Sequence, residues 1–359
     1  MNNLEERLAP LVRSNILSLK PYSSARDEAP DSTVVQKIML DANENSFGGP
    51  LEEDFSRYPD PQQKPLKGAL ADLKGINPGQ IFIGNGSDEA IDLLFRAFVT
   101  PGKENVVILP PTYDMYAVQA TIHGVEVRQA PLRPDFSPDM EAVNRVTDER
   151  SKLLLLCSPN NPTGQRLPEA FVLKMLDSFP GLVVVDEAYA DFSGQESWIS
   201  RLEEFPNLVV LQTLSKAWGL AGLRVGMAYS NSFIISILNK IKYPYNLNAL
   251  TLKSALTALS EPGVVAQKIG QILAARKDLE RELPLLACVE KVFPSDANFL
   301  LVQVNDANRL YGHLAANGII VRNRSQELHC GNCLRITVGT PFENERLLEV
   351  MAGFPARVH

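Results

Sequence analysis

The chain has 359 residues, 45% of them hydrophobic, so it is long enough for one large core or two domains. Its formal net charge is -7 and its basic residues form no stripe, which argues against a nucleic-acid partner. No segment approaches the ~18 apolar residues of a membrane span and the N-terminus has no continuous apolar run, so we expect a cytoplasmic protein.

Seven short apolar segments between residues 80 and 230 predict β-strands. They are QIFIG (80–84), NVVIL (105–109), VEVRQ (125–129), KLLLLCS (152–158), LVVVDEAY (182–189), NLVVLQT (207–213) and LRVGMAYS (223–230). Several are apolar on both faces, as in a sheet covered by helices on both sides, and connections such as IDLLFRAF (91–98) are long enough for helical crossovers. The pattern predicts an α/β fold with a mainly parallel sheet.

The sequence after about residue 250 predicts a smaller α+β domain. A helical pattern runs over 251–284 with a break at Pro262-Gly263. The strand-like segments ANFLLVQV (297–304), GIIVRN (318–323) and CLRITV (333–338) then alternate with helix-like 309–318 and 343–354. We expect a large domain over 41–250, and a small domain formed by 1–40 and 251–359 with an N-terminal arm.

The cysteines predict neither a disulfide framework nor a metal site. Four cysteines are few for so long a chain, and Cys157 follows an apolar run as a small buried residue would. The cluster His329-Cys330-Gly331-Asn332-Cys333 has no second pair of zinc ligands. We therefore expect a turn at Gly331-Asn332 before a strand.

A lysine and an aspartate each follow an apolar strand. Lys216, in TLSKAWGLAGLRVG (213–226), can be an ion-pair partner, an anion binder or a Schiff-base nucleophile. Asp186 ends the strand in LVVVDEAY, at the edge where open α/β sheets present ligand-binding groups, and Tyr189 can reach the same pocket. By itself, Asp186 could instead cap a helix.

Two turns and an arginine extend this set. CSPNNPTG (157–164) is a rigid turn with amide side chains, although turn chemistry alone explains it. In IFIGNGSDEAIDLLFRAF (81–98), free N–H groups at the helix start suit a phosphate, and a tight turn capped by Ser87 is an equal alternative. Arg224, across a glycine turn from Lys216, can grip the same anion, and Ser215 adds a hydroxyl. An amine, a carboxylate, a phenol, an amide and a phosphate cradle are what pyridoxal phosphate needs.

With these residues in place, the sequence resembles the histidinol-phosphate aminotransferases, fold-type-I enzymes of the class-II aminotransferase family that use pyridoxal phosphate. The motifs that carry the resemblance are LKPYSSAR, LDANEN, RYPDPQ, GNGSDE, PPTYDMY, SPNNPTG, VVVDEAY, TLSKAWGLAGLRVG and LRITVGT, in order over nearly the whole chain. The resemblance implies amino-group transfer between L-histidinol phosphate and 2-oxoglutarate, giving imidazole acetol phosphate and L-glutamate in histidine biosynthesis.

The same resemblance implies a role for each cofactor-binding residue. Lys216 would bind the cofactor covalently and carry a proton, and Asp186 would pair with the ring N–H. Tyr189 and Asn161 would contact the phenolic oxygen, and Tyr113 would stack on the ring. The cofactor phosphate would be held by Gly86, Ser87, Asp88, Ser215 and Arg224, with Asp88 acting through its backbone N–H.

Substrate and subunit contacts are implied as well. Arg335 would grip the substrate phosphate or the glutamate carboxylate, with Tyr22, Asn161 and Arg322 assisting. Arg324 lies two residues from Arg322, on the same strand face, so either could be the substrate contact. Arg335 could otherwise form an inter-domain salt bridge. Tyr58, in RYPDPQ, would reach the cofactor phosphate of a neighbouring subunit, which implies a homodimer; without the family it is a loop aromatic.

Four other functions compete with this interpretation. An aromatic amino acid aminotransferase would share Lys216, Asp186 and Arg335, and a phosphothreonine decarboxylase would also bring a substrate phosphate. A regulatory protein that binds pyridoxal phosphate without catalysis is disfavoured by the intact Lys216, Asp186 and Tyr189. A dehydrogenase is disfavoured because no ribose-binding acid follows GNGSDE at the distance of ~20 residues that such enzymes use.

Overall fold

The computed structural model describes residues 3–21 and 38–354, which form two β-sheets covered by helices. The strands are β1 (Ile81–Asn85), β2 (Asn105–Ile108), β3 (Glu126–Gln129), β4 (Ser151–Cys157), β5 (Leu182–Asp186), β6 (Leu208–Thr213), β7 (Val225–Tyr229), β8 (Val289–Val292), β9 (Phe299–Val304), β10 (Arg322–Asn323) and β11 (Cys333–Thr337).

The α-helices within the described ranges alternate with these strands. They are α1 (Asn3–Leu8), α2 (Ser14–Leu17), α3 (Lys64–Lys74), α4 (Gly86–Phe98), α5 (Met115–Ile122), α6 (Met140–Val146), α7 (Glu169–Ser178), α8 (Ser232–Ile241), α9 (Ala249–Leu259), α10 (Pro262–Glu282), α11 (Ala307–Ala316) and α12 (Pro341–Ala352). Short 3₁₀ helices occupy Ala9–Leu11, Pro78–Gln80, Ala190–Phe192, Trp198–Arg201, Ala221–Leu223 and Leu283–Leu285.

The larger sheet has seven strands in the order β1-β7-β6-β5-β4-β2-β3. The adjacent strands β6, β5, β4, β2 and β3 are parallel to one another, whereas β7 runs antiparallel to both β1 and β6. The predicted mainly parallel sheet is therefore confirmed. Because β7 alone is reversed, its first residue lies at the edge where the other strands end.

Both faces of this sheet are buried, as the uniformly apolar strands predicted. In β4, Leu153 and Leu155 pack in one hydrophobic cluster while Leu154 and Leu156 pack in the cluster on the opposite face. Side chains alternate across a strand, so a strand covered on both sides must be apolar at every position. Truncating one of these leucines to alanine would cost about 2–5 kcal/mol of unfolding free energy.

The smaller sheet is antiparallel, in the order β10-β11-β9-β8, and its core includes side chains from α10, α11 and α12. The helical pattern predicted after residue 250 is confirmed, and it divides at Ser260-Glu261 because Pro262 takes the first position of α10. The strand predicted over 318–323 shortens to Arg322–Asn323. Arg324 therefore lies beyond the strand, and our expectation that it shares a strand face with Arg322 is wrong.

The turn predicted at Gly331-Asn332 is confirmed. The Cys333 N–H donates to the Cys330 carbonyl at 2.9 Å, Asn332 has φ 57°, and β11 begins at Cys333. All four cysteines are buried and free. Over residues 3–21 and 38–354 no cluster of three or more His, Cys, Asp or Glu side chains is arranged to hold a metal.

The described N-terminal residues pack against the larger sheet. Leu8 and Val12 belong to the hydrophobic cluster on one of its faces, and the Arg13 N–H donates to the carbonyl of Ala97 in α4 at 2.9 Å. The division into 41–250 and 1–40 plus 251–359 stays a prediction. No helix in the described part of the chain is both long and apolar enough to span a membrane.

Candidate active site

One cavity at the carboxyl edge of the larger sheet collects ten of the residues singled out in the sequence. Five of them are Tyr113, Asn161, Asp186, Tyr189 and Lys216. The other five lie at the start of α4, in the turn after β6 and directly before β7: Gly86, Ser87, Asp88, Ser215 and Arg224. They come from separate connections, and they meet because strands β1, β4, β5 and β6 all end at this edge.

Asp186 ends β5 and is 3% exposed. One carboxylate oxygen accepts a hydrogen bond from the Ala188 N–H at 3.1 Å, and the other accepts from the Tyr116 hydroxyl at 2.8 Å. Burial raises the pKa of Asp186 to about 6, in spite of these two hydrogen bonds. An ionised carboxylate in this place is therefore costly unless a cationic group pairs with it.

Lys216 lies in the turn that follows β6. Its amine is 5.6 Å from the centroid of the Tyr189 ring. Burial, and then the positive charges of Arg335 and Arg224, lower the pKa of Lys216. Arg335, which lies on β11 of the smaller sheet, thus acts on the amine together with the nearby Arg224. At neutral pH a larger fraction of this amine is therefore unprotonated than in an ordinary lysine, and only the unprotonated form acts as a nucleophile or a base.

The start of α4 touches the start of β7. The Gly86 N–H donates to the Arg224 carbonyl at 2.7 Å. A Cβ atom on Gly226 would lie 2.0 Å from the Ser87 nitrogen, so only glycine permits this approach. The first N–H groups of α4 have no partner within the helix, and they are held at the edge of the cavity in a position suited to an anion.

Arg224 and Tyr113 both contact the carboxylate of Asp88. The guanidinium lies 3.3 Å from one oxygen and the Tyr113 hydroxyl donates to the other at 3.0 Å. Arg224 has φ 54°, a left-handed conformation, in the turn that reverses the chain after Lys216. Ser215 completes this side of the cavity, where its hydroxyl accepts from the Thr213 hydroxyl at 2.9 Å.

Arg335 extends from β11 of the smaller sheet towards this cavity. It donates to the amide oxygen of Asn161, and its guanidinium is 5.3 Å from the centroid of the Phe299 ring. Burial, followed by the charges of Arg324 and Arg322, lowers the pKa of Arg335. Arg335 on the smaller sheet is thus linked by a hydrogen bond to Asn161, which follows β4 of the larger sheet.

Arg322 and Arg324 have different surroundings. Arg322 is exposed and lies directly opposite Arg335 across β10 and β11. The Arg324 side chain is 10% exposed and pairs with Asp114 at 2.9 Å and Glu327 at 3.1 Å. One nitrogen of the Arg324 guanidinium, Nη1, therefore pairs with both carboxylates.

Three predicted site residues in the described ranges do not line the cavity: Tyr58, Arg322 and Arg335. Tyr58 lies in another region, where its ring stacks on Tyr245 with the centroids 4.4 Å apart. Tyr22 lies outside the described residues.

Sequence reasoning missed Tyr116, which lies behind Asp186, and Thr213, which lines the cavity. It placed Cys157 correctly as a buried residue but did not foresee that it faces the cavity. The available signal was that Cys157 and Asp186 each end an apolar strand of a predicted parallel sheet, which places both at the same edge.

Comparison with known proteins agrees with this geometry. Residues 27–351 match the family model "Aminotransferase class I and II". The histidinol-phosphate aminotransferase of Flavobacterium johnsoniae is 50% identical over 334 residues, which cover 93% of this chain and 95% of that protein. That of Parabacteroides distasonis is 50% identical over 344 residues, covering 96% and 98%.

A solved structure adds a ligand to the comparison. The histidinol-phosphate aminotransferase from Sinorhizobium meliloti, in complex with pyridoxal-5'-phosphate, superposes with a TM-score of 0.76 and 26% identity, covering 87% of this chain and 89% of that one. The matches span nearly the whole length of the chain, including every segment that contributes to the cavity. The chain belongs to the aminotransferase class I and II family.

Proposed function

We propose that this protein transfers an amino group between L-histidinol phosphate and 2-oxoglutarate, giving imidazole acetol phosphate and L-glutamate, with pyridoxal phosphate as its cofactor. The observation that carries the proposal is the single cavity that places Lys216, Asp186 and Arg224 together. Relatives at 50% identity with histidinol-phosphate aminotransferase as their name support the choice of substrate. The reaction is a step of histidine biosynthesis.

The residues of the cavity fit the cofactor. Asp186 is a buried carboxylate that favours a cationic partner, as a protonated ring nitrogen would be. The start of α4, the Ser215 hydroxyl and Arg224 offer donors for a phosphate, and a Cβ on Gly86 would lie 2.6 Å from the Arg224 guanidinium. When bound, pyridoxal phosphate supplies an aldehyde that reacts with amines and a ring that accepts electrons.

Lys216 would serve as the amine that holds the cofactor and as the base that moves a proton at the substrate Cα. Both tasks need a neutral amine, and the lowered pKa of Lys216 favours that form. Tyr189, Asn161 and Tyr113 line the same cavity, where they would orient the ring. Positioning of the reacting atoms is the main contribution of these side chains.

The carboxylate of Asp88 lies against Arg224 and the Tyr113 hydroxyl. A phosphate at the start of α4 would compete with that carboxylate for Arg224. We propose that Asp88 contributes its backbone N–H to the phosphate, because two anionic groups at one site repel each other.

Specificity would come from arginines on the smaller sheet. Arg322 and Arg335 are cross-strand partners whose like charges favour an anion between them. A phosphate carries two charges near neutral pH and suits a pair of guanidinium groups. Arg335 would also receive the carboxylate of glutamate in the second half-reaction. Tyr22, outside the described residues, is proposed as a further substrate contact.

We also propose that the active enzyme is a homodimer. Tyr58 is 50% exposed, and large apolar side chains are exposed in the same segment: Phe47 at 101%, Leu51 at 66% and Phe55 at 38%. Surfaces of this kind mark protein interfaces. A second copy covering them could bring its Tyr58 to the cofactor phosphate of this subunit.

Complementation tests that dimer. Lys216→Ala removes the amine from one chain and Tyr58→Ala removes the phenol from another, so a hybrid dimer holds one complete site. Mixed variants should recover activity that neither has alone. Failure to recover activity, with hybrid dimers shown to form, would contradict a shared site.

A cytoplasmic location is proposed because the substrates are small metabolites and all four cysteines are free.

Substrate competition tests the proposed reaction. We expect kcat/KM for histidinol phosphate to exceed the values for phenylalanine and tyrosine by about 100-fold or more, with 2-oxoglutarate as acceptor in each case. Histidinol without phosphate is the matched control. A preference for the unphosphorylated aromatics would support an aromatic aminotransferase, and CO₂ release from phosphothreonine would support a decarboxylase.

A further inference from the structure

The carboxylate of Asp186 is hydrogen-bonded by a tyrosine that does not line the cavity. Tyr116 lies in the first turn of α5, is 0% exposed, and donates to the Asp186 carboxylate at 2.8 Å. The backbone N–H of Ala188 donates to the other carboxylate oxygen at 3.1 Å. Each oxygen thus has one donor among the described residues, and Asp186 lines the cavity.

Tyr116 is held firmly in this position. Its ring meets the Tyr113 ring edge-on, with the centroids 5.5 Å apart and the planes at 89°. Tyr113 lines the cavity, and Tyr116 lies behind Asp186. The segment from Tyr113 to Tyr116 therefore contacts both the space for the cofactor and the Asp186 carboxylate. The Cys157 thiol lies beside the same hydroxyl.

We propose that Tyr116 is a positioning residue that keeps the Asp186 carboxylate ionised and in place, so that the proton shared with the cofactor resides on the ring nitrogen. This inference rests on the proposed function, because it assumes that pyridoxal phosphate binds with its ring nitrogen at Asp186. Tyr116 acts only through Asp186 and contacts no reacting atom.

The physical reason is that a buried carboxylate depends on its donors. Burial raises the pKa of Asp186 to about 6, and the hydrogen bond from Tyr116 opposes that rise. A donor to a charged acceptor stabilises it more than a donor to a neutral one. Without the hydroxyl, the carboxylate becomes the better base and the proton moves from nitrogen to oxygen.

Other titratable groups act on the same carboxylate and stay in place when the hydroxyl is removed. They are Asp88, Tyr113, Cys157, Glu187, Tyr189 and Lys216. These charges are the same in the unmodified protein and in a variant at Tyr116. A difference between the two in the protonation of the ring nitrogen therefore reports the loss of the Tyr116 hydrogen bond.

The test uses holoprotein reconstituted with pyridoxal phosphate labelled with ¹⁵N in the ring. The variant Tyr116→Phe keeps the ring and removes the hydroxyl. Tyr229→Phe is the matched control, because Tyr229 is also 0% exposed and its hydroxyl has no hydrogen-bond partner among the described residues. The ¹⁵N chemical shift distinguishes a protonated from an unprotonated ring nitrogen without measuring activity.

We expect the ¹⁵N resonance of Tyr116→Phe to move towards the unprotonated value, and the pH at which the ring nitrogen loses its proton to fall by about one unit or more. Tyr229→Phe should match the unmodified protein. Replacing Tyr116 with 3-fluorotyrosine, whose hydroxyl is a stronger donor, should move the resonance in the opposite direction. This second variant allows the measurement even if Tyr116→Phe does not fold.

The outcomes separate this inference from the proposed function. If the unmodified protein does not bind pyridoxal phosphate, the proposed function fails. If the cofactor binds, and the ¹⁵N resonances of both Tyr116 variants coincide with that of the unmodified protein, the role given to Tyr116 is wrong while the function stands. An equal change in Tyr229→Phe would also overturn it, since any buried hydroxyl would then have the same effect.

Discussion

Arg322 and Arg335 lie directly opposite each other on the antiparallel strands β10 and β11. Side chains paired in this way share one face of a sheet, and two positive charges there repel each other. The charge of Arg322 contributes to the lowered pKa of Arg335. Binding of an anion between them would relieve that repulsion, which is why we place the substrate phosphate here.

Removing either guanidinium should therefore weaken phosphate recognition. We expect Arg322→Gln to raise KM for histidinol phosphate by about 10- to 100-fold with a smaller effect on kcat, because a charge-assisted contact is lost. Arg335→Gln should impair both half-reactions, since Arg335 also receives the glutamate carboxylate. Steady-state kinetics with each substrate varied in turn measure this, and the exposed Arg346→Gln is the control. An unchanged KM in Arg322→Gln would exclude it as a phosphate ligand.

Arg324 should behave differently from Arg322. Its side chain is 10% exposed and pairs with Asp114 and Glu327, so Arg324→Gln should lower the free energy of unfolding by about 1–2 kcal/mol. KM for histidinol phosphate should stay within about threefold of the original value. Urea unfolding measures the change in stability, and steady-state kinetics on the same preparation measure KM. A large rise in KM without loss of stability would make Arg324 the substrate contact.

The buried acid predicts a pH dependence of the protein without cofactor. The pKa of Asp186 is about 6 when folded and its reference value is 3.8. The folded state thus binds the proton of Asp186 more tightly than the unfolded state does. Ionised Asp186 therefore lowers the free energy of unfolding above about pH 6, and this loss disappears as the pH falls towards 3.8.

Asp186→Asn should remove that penalty. Without cofactor, the variant should be more stable than the unmodified protein by about 2–3 kcal/mol at pH 7.5, and the difference should shrink towards pH 4. Chemical unfolding at a series of pH values measures it. A constant difference across that range would show that Asp186 does not titrate as described.

The close approach of α4 and β7 can be tested at a glycine. In Gly226→Ala the new Cβ would lie 2.0 Å from the Ser87 nitrogen, so the start of α4 must move. We expect the affinity for pyridoxal phosphate to fall at least about tenfold, since overpacking of this kind costs about 1–3 kcal/mol. Gly222→Ala is the control, because a Cβ there meets no atom within 4 Å. Equal affinities in a titration of the two variants would refute a phosphate site at α4.

The sequence revealed those parts of the site that lie at the ends of strongly apolar strands. Asp186 and Lys216 could be placed at one edge because LVVVD and LVVLQT read clearly as buried parallel strands. Tyr116 could not, because it lies in an ordinary apolar helix and only the packing of α5 brings it to Asp186.

Arg322 and Arg324 show a second limit. Alternation along a strand put both on one face, but β10 ends at Asn323 and Arg324 turns to Asp114 instead. Where a strand ends is decided by pairing with its neighbour, which local sequence specifies poorly. The contact of Tyr58 with a second copy of the chain stays a prediction.

We propose that the amine of Lys216 reacts with the aldehyde of pyridoxal phosphate in a cavity where Asp186 meets the ring nitrogen. Borohydride reduction of the reconstituted protein, followed by peptide mass spectrometry, identifies the amine that carries the cofactor. We predict one adduct per chain, on Lys216, and none on the exposed Lys253. Protein that stays colourless with the cofactor, or an adduct spread over surface lysines with Lys216 unmodified, would contradict the account.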